Sequence, residues 1–483
     1  MDESTRIQYN TVVSFVNKMG GQAIRFIGTV LFANIAGASP LGVYYTFLSL
    51  YNWGSRVSIG GMGQTIMKRV SEGDNSKYDS SEILSAALTI RFLALGTLFV
   101  PIVFFRDQVD QFIGFSNAWW LLYFVLFLSI VYESLKAKLK GDKRIALVDS
   151  LQNAEVIVAT LSQLLLIYVG YLSFGLIVGF VLGIIFGLTL AVYYINIGIV
   201  LPSRSSLNNV FDFTKFSYID DLFMWENQWL DILAISYFLT SGVAGIYGAA
   251  YMIARMGVLL STSVSISIFP EVSSISASEP GTDIWKEHLK SALKYSSFLT
   301  IPLVFGSLAI GDLVLKRVYN FSEGGNVLII LALGVVFLGV YQQIHQVLYG
   351  LDNPKHAMGC SFISSIIKLV SLVVLVPVFG MVGAAYSASI SMIVAAIIGF
   401  AIMYREYDLW IVDLPLTGWR NQIISGILTG VLAEAVQRNI NASLLTTLIV
   451  SIALGAIGYF IAILIFDKEI QEFLLINYRN RVH

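Results

Sequence analysis

Six basic side chains sit deep inside long apolar runs of this 483-residue sequence: Arg25, Arg56, Arg91, Arg255, Lys294 and Lys368. A charge at mid-bilayer costs about 2.5–3.5 kcal/mol on insertion scales, so such residues face a bundle interior or a wet cavity. Guanidinium groups grip phosphate through paired hydrogen bonds, and a cationic cavity therefore suits a polyprenyl diphosphate or an acidic sugar. In the first half, Arg25, Arg56 and Arg91 are opposed at comparable depth only by Glu155. A second reading makes the same residues internal staples, tied to Glu155 or to helix C-terminal carbonyls. The residue types admit both.

The acids gather in one segment. Asp220, Asp221, Glu226 and Asp231 fall within residues 213–239. On an unbroken helix Asp220, Asn227 and Asp231 share one face, because seven and eleven residues return close to the starting direction. Met224 interrupts that face. Such a stripe could bind a coupling cation, Na+ or H+, or neutralise Arg255 on the following segment. Other candidates are weaker. Trp119 and Trp120 lie at the end of an apolar run, where aromatic belts form. Trp225 and Trp229 could stack on a sugar, or pack against lipid. His345 has no clustered partners that would make a metal site. No P-loop and no acid-rich loop is present, so neither an ATPase nor a membrane enzyme is expected.

These side chains must be positioned by membrane helices. Hydrophobic residues make up 56% of the chain and charged ones 13%, against about 25% charged in soluble proteins, and mean hydropathy is +0.75. Apolar runs long enough to cross a bilayer occur near 10–35, 41–66, 83–105, 118–138, 145–169, 173–200, 213–239, 243–269, 289–311, 326–349, 356–378, 382–404, 420–437 and 443–466. The reading is an all-α polytopic membrane protein with about fourteen spans. Lysine and arginine concentrate after even-numbered spans, as in Lys136, Lys138, Lys140, Lys143 and Arg144. The positive-inside rule then puts both termini in the cytoplasm. The first apolar run is too long for a cleaved signal and contains Arg25. Cys360 is the only cysteine, so no internal disulfide can form. Sequons at Asn320 and Asn441 fall in expected external loops, at a frequency chance explains.

The chain also repeats itself. Gly42-Val43-Tyr44-Tyr45 returns as Gly245-Ile246-Tyr247-Gly248, and Pro101-Ile102-Val103-Phe104 as Pro302-Leu303-Val304-Phe305. Gly141-Asp142-Lys143 resembles the stretch from Gly350 to Lys355, and Gly175–Gly179 resembles Gly380–Gly383. The offsets are 203, 201, 209 and 205. Spans 1–6 thus correspond to spans 7–12, giving units at 1–203 and 204–406, with two further spans in 407–483 as an appendage. Paired repeats around a central site are common in transporters.

Trp229-Leu230-Asp231-Ile232-Leu233-Ala234, followed by Gly245-Ile246-Tyr247-Gly248-Ala249-Ala250-Tyr251, resembles the seventh span and following turn of the polysaccharide-flippase branch of the multidrug/oligosaccharidyl-lipid/polysaccharide (MOP) exporter superfamily. The resemblance implies two pseudo-symmetric six-helix bundles in a V shape and alternating access. The implied substrate is a prenyl-phosphate-linked glycan crossing the cytoplasmic membrane. Arg25, Arg56 and Arg255 resemble basic residues that such flippases place in spans 1, 2 and 8. Alternatives are a cation-coupled multidrug exporter and a lipid II flippase. The exporter is disfavoured by the lack of an acid in span 1. A monomer contacting membrane lipid and glycan-assembly enzymes is expected, without a cofactor or nucleic acid.

Overall fold

A computed structural model describes residues 3–71, 79–195, 198, 200–224, 229–278, 282–439 and 444–467. It is helical, with no β-strand among the described residues. The chain divides into two compact units, Met1–Gly245 and Ile246–His483.

The first unit contains α1 (Glu3–Ala36), α2 (Ala38–Ile59), α3 (Met62–Ser71), α4 (Ser80–Phe104), α5 (Arg106–Ile113), α6 (Ala118–Gly141), α7 (Ile145–Tyr168), α8 (Leu172–Tyr194), α9 (Arg204–Met224) and α10 (Leu230–Phe238). The unit boundary falls inside α11 (Ser241–Met256). The second unit continues with α12 (Val258–Ser278), α13 (Ile284–Ser296), α14 (Thr300–Val318), α15 (Gly325–Gly350), α16 (Pro354–Tyr407), α17 (Leu416–Asn439) and α18 (Leu444–Phe466). In this division α9 and α10 fall in the first unit, where α9 packs on α2, α3 and α4, and α10 packs on α2.

Among the described residues, nine helical stretches are long and apolar enough to cross a membrane. They coincide with α4, α6, α7, α8, α12, α13 with α14, α15, α16 and α18. Helices α1, α2, α9 with α10, and α17 lie at the remaining expected spans and are more polar, and α11 covers the first part of expected span 8. Expected spans 11 and 12 are the two arms of α16, joined through Gly380 at φ 60° and ψ −139°. Only glycine adopts that conformation without strain.

Local geometry supports the repeat. After α6, Arg144 N–H bonds to Leu139 O at 2.9 Å and Lys143 N–H to Lys140 O at 3.0 Å. After α15, Asn353 N–H bonds to Leu348 O at 2.9 Å and Asp352 N–H to Tyr349 O at 3.1 Å. Both are Schellman closures, in which a left-handed residue turns the chain back onto the last carbonyls. Lys143 and Asp352 take that position at φ 61° and 58°.

Small residues set helix spacing, because lipid provides no hydrophobic force between helices and close backbone contact must hold them. Gly175, Gly179, Gly183, Gly187 and Ala191 recur every fourth residue of α8. A Cβ on Gly175 would lie 2.9 Å from Leu166 Cβ, and one on Gly183 would lie 2.5 Å from Ala159 Cβ, so α8 lies directly against α7. Gly383, Ser387, Ser391, Ala395 and Gly399 repeat the spacing in the second arm of α16. Gly175 therefore corresponds to Gly383, which shifts the register of this part of the repeat slightly from the expected one. The repeated Gly-x-Tyr phrases meet as well. Ser39 and Ser241 hydroxyls lie 3.0 Å apart, and a Cβ on Gly42 would come within 2.9 Å of Gly245 N.

Among the described residues, expected spans 2, 8 and 9 are each interrupted by a short turn. Expected span 2 breaks at Gly60–Gly61 between α2 and α3, span 8 at Gly257 between α11 and α12, and span 9 at residues 297–299 between α13 and α14. Each break frees carbonyls that lipid cannot satisfy, so other helices must supply donors.

Candidate functional site

The six expected cations separate into two groups by exposure. In the first unit α1 lies along α7, with Gly21 against Asn153 and Gly28 against Thr160. That register sets Arg25 beside the turn of α7 that carries Glu155. Arg25 is exposed and Glu155 half-buried. Both act electrostatically on the phenols of Tyr44 on α2 and Tyr132 on α6. Among the described residues Arg25 has no salt-bridge partner. A cation, an acid and two phenols thus share one neighbourhood, with the guanidinium accessible.

Arg56 is half-buried in the last turn of α2, one turn before the Gly60–Gly61 break. In the second unit Arg255 is half-buried in the last turn of α11, just before Gly257. Its guanidinium lies 5.9 Å from the ring centre of Tyr251. The two arginines are 199 positions apart, close to the repeat offset, and each precedes a break. A helix C-terminus carries partial negative charge, which favours a cation there.

The other three cations are enclosed within single units. Arg91 on α4 has no exposed surface and donates to Ser134 Oγ on α6. Lys294 on α13 forms a buried ion pair with Asp467, just past α18, at 2.9 Å. Lys368 in the first arm of α16 is also fully buried. Arg91, Lys294 and Lys368 are thus buried, whereas Arg25 is exposed and Arg56 and Arg255 are half-buried.

Among the acids, Asp231 is fully buried in α10. The side chain of Asp220 and the whole of Glu226 lie outside the described residues, as do Asn227 and Trp225. The single-face stripe needs one unbroken helix from Asp220 to Asp231. Trp229 between them has φ −127° and ψ −10°, so helical periodicity does not carry from Asp220 to Asp231. Asp231 and Arg255 belong to different units. Among the described residues no three His, Cys, Asp or Glu side chains form a metal cluster. Trp119 is half-buried and Trp120 half-exposed at the start of α6. The turn residue Asn320 is exposed, with φ 58°, and Asn441 is outside the described residues.

Several residues gave no signal in the sequence. Asp467 closes the last apolar run, 173 positions from Lys294. Gln422 and Trp419 on α17 and Tyr459 on α18 donate to carbonyls at the span-9 break. Gln422 Nε2 reaches Lys294 O at 2.8 Å, Trp419 Nε1 reaches Leu293 O at 3.4 Å, and Tyr459 OH reaches Phe298 O at 2.7 Å. The last two expected spans thus supply donors to the backbone that the break exposes.

An all-helical fold with many membrane-length apolar helices is the fold of the MOP superfamily. Residues 118–466 match the family described as lipid II flippase MurJ. The chain belongs to that family. The solved structure "Lipid II flippase MurJ, inward closed conformation" superposes with a TM-score of 0.78 at 17% identity, covering 95% of this chain and 99% of that one. An inward-facing multidrug-resistance MATE transporter of the MOP superfamily gives a TM-score of 0.63 at 14% identity, covering 79% and 93%. Two Haloferax volcanii proteins are similar in sequence. "Probable low-salt glycan biosynthesis flippase Agl15" is 26% identical over 391 residues, covering 80% of this chain and 82% of its own. "Probable flippase AglR" is 27% identical over 385 residues, covering 77% and 79%.

Proposed function

We propose that this protein flips a prenyl-diphosphate-linked oligosaccharide across the cytoplasmic membrane. The observation that carries the reading is the accessibility of Arg25, Arg56 and Arg255 in a chain that encloses its other mid-membrane cations. Accessible guanidinium groups in apolar spans suit a diphosphate, whose oxygens they bind two at a time. The glycan head would enter from the cytoplasm, while the prenyl tail stays in lipid. Alternating access would carry it outward, and an ion gradient or the membrane potential would drive the cycle. A coupling cation, Na+ or H+, would use Glu155, which shares a neighbourhood with Arg25, or the buried Asp231. The excess of Lys and Arg after even-numbered spans favours cytoplasmic termini. The glycan-flippase names of the Haloferax relatives favour an oligosaccharide carrier, and the family match favours lipid II.

Depletion in the native cell, followed by mass spectrometry of membrane lipids, tests the reading. Accumulation of a prenyl-linked oligosaccharide on the cytoplasmic leaflet supports it and identifies the glycan. Accumulated lipid II instead would assign the peptidoglycan precursor. An unchanged prenyl-linked pool with new sensitivity to cationic drugs would refute it in favour of a multidrug exporter.

A further inference from the structure

The break in expected span 2 is bridged from outside. Gly60 N–H closes the last turn of α2 on Arg56 O at 2.9 Å. Gly60 then takes φ −44° and ψ 134°, and Gly61 takes φ 68°. In a continuous helix the Gly61 N–H would bond to Val57 O, but the turn at Gly60 ends the helix before that bond. Val57 O instead accepts from Tyr218 OH on α9 at 3.1 Å. The Tyr218 ring lies over Gly60, where a Cβ would stand 3.0 and 3.2 Å from two ring carbons. One turn earlier on α9, Thr214 Oγ1 lies 3.0 Å from Thr65 Oγ1 and 3.3 Å from Met62 Sδ, both on α3. Tyr218 thus holds the end of α2 while Thr214 holds the start of α3.

We infer that α9 is a splint across this break, and that Tyr218 is a positioning residue that sets where Arg56 stands. Two glycines leave the break free to bend, and two hydroxyl contacts on a separate helix fix its angle. Arg56 immediately precedes Val57, within the helical end that Tyr218 holds, so a shift of α9 along the break moves the guanidinium. The hydrogen bonds are single and neutral, of the kind that form and release within a working cycle. This part of span 7 would thereby report its position to Arg56 without touching a substrate. The structural half of the inference stands alone; the role of Arg56 rests on the proposed diphosphate site.

Hydrogen exchange on the full chain in lipid nanodiscs tests it, comparing wild type with Tyr218→Phe, Thr214→Val and Tyr459→Phe. Loss of the Tyr218 hydroxyl should raise exchange across residues 57–66 about fivefold and leave the second unit unchanged. Tyr459→Phe removes a similar cap elsewhere and should leave residues 57–66 unchanged. Unaltered exchange at 57–66 in folded Tyr218→Phe would overturn the inference. So would a uniform rise throughout the first unit, which would make Tyr218 an ordinary packing residue. Where Tyr218→Phe does not fold, Thr214→Val decides by the same criterion. Binding of farnesyl diphosphate, a short prenyl diphosphate probe, is then measured for Tyr218→Phe, Arg56→Ala and the double variant. A residue acting through Arg56 weakens binding several-fold alone and adds nothing to Arg56→Ala. Additive losses would overturn the positioning role. If Arg56→Ala binds as wild type does, the diphosphate site falls while the exchange result still decides the splint.

Discussion

Lys294 and Asp467, 173 positions apart in the chain, form a buried ion pair of 2.9 Å that ties α13 to the end of α18. Around it, Gln422 bridges the Ser297 hydroxyl, at 2.7 Å, and the Lys294 carbonyl. Breaking a buried pair from one side strands the other charge. Lys294→Met or Asp467→Leu should therefore each lose about 3–5 kcal/mol, with much of it recovered in the double variant. Thermal unfolding in detergent reads this directly; strictly additive losses would refute the coupling.

Tyr459 caps Phe298 O at the span-9 break. Tyr459→Phe removes only the hydroxyl and should lower stability by about 1–2 kcal/mol. Unfolding by denaturant in mixed micelles gives the comparison with wild type, and an unchanged midpoint would show that water replaces the phenol there.

The glycine stripe predicts a contrast between two neutral substitutions. Gly183→Leu must push α8 from Ala159 Cβ and Glu155 O, which a Cβ would approach at 2.5 and 2.9 Å. It should cost at least about 1–3 kcal/mol. Gly96→Ala on α4 has open space around its new Cβ and should be neutral or slightly stabilising. Similar melting temperatures for both variants would contradict the close α7–α8 packing.

Arg25 and Arg91 should separate function from stability. Arg91 is fully enclosed, and Arg91→Ala should lose about 3 kcal/mol or more through a cavity and a lost Ser134 contact. Arg25 is exposed, so Arg25→Ala should stay within about 0.5 kcal/mol of wild type. Its binding of a prenyl diphosphate should nevertheless fall about tenfold or more. Paired thermal-shift and binding assays test both halves, and a destabilised Arg25→Ala with normal binding would reverse the assignment.

Much of the fold is legible in the sequence because its turns are local. The phrases Gly141-Asp142-Lys143 and Gly350-Leu351-Asp352 end helices through the same closure, which short-range chemistry dictates. Helix ends at Ala118, Ile145 and Phe466 fall close to the expected limits of the apolar runs. The breaks are less legible. Residues 289–311 read as one apolar run, and the donors that sustain their interruption lie on α17 and α18, more than a hundred positions on. For the same reason sequence depth alone could not separate Lys294 from Arg25. Both are mid-run cations, and only the distant Asp467 marks one of them as enclosed. The acidic stripe required one helical phase from Asp220 to Asp231, and Trp229 is not helical.

The turn at Gly380 bears on biogenesis. With no loop between its arms, α16 presents its two apolar segments to the insertion machinery as a single hairpin. The first arm carries Lys368, whose entry alone costs about 2.5–3.5 kcal/mol; the second, strongly apolar arm offsets that cost when the two enter together. A nascent chain released after Phe379 should hold this arm in the bilayer poorly, whereas one released after Tyr407 should hold it firmly, as protease protection would reveal. For this protein, the smallest unit that commits to the membrane here is the pair.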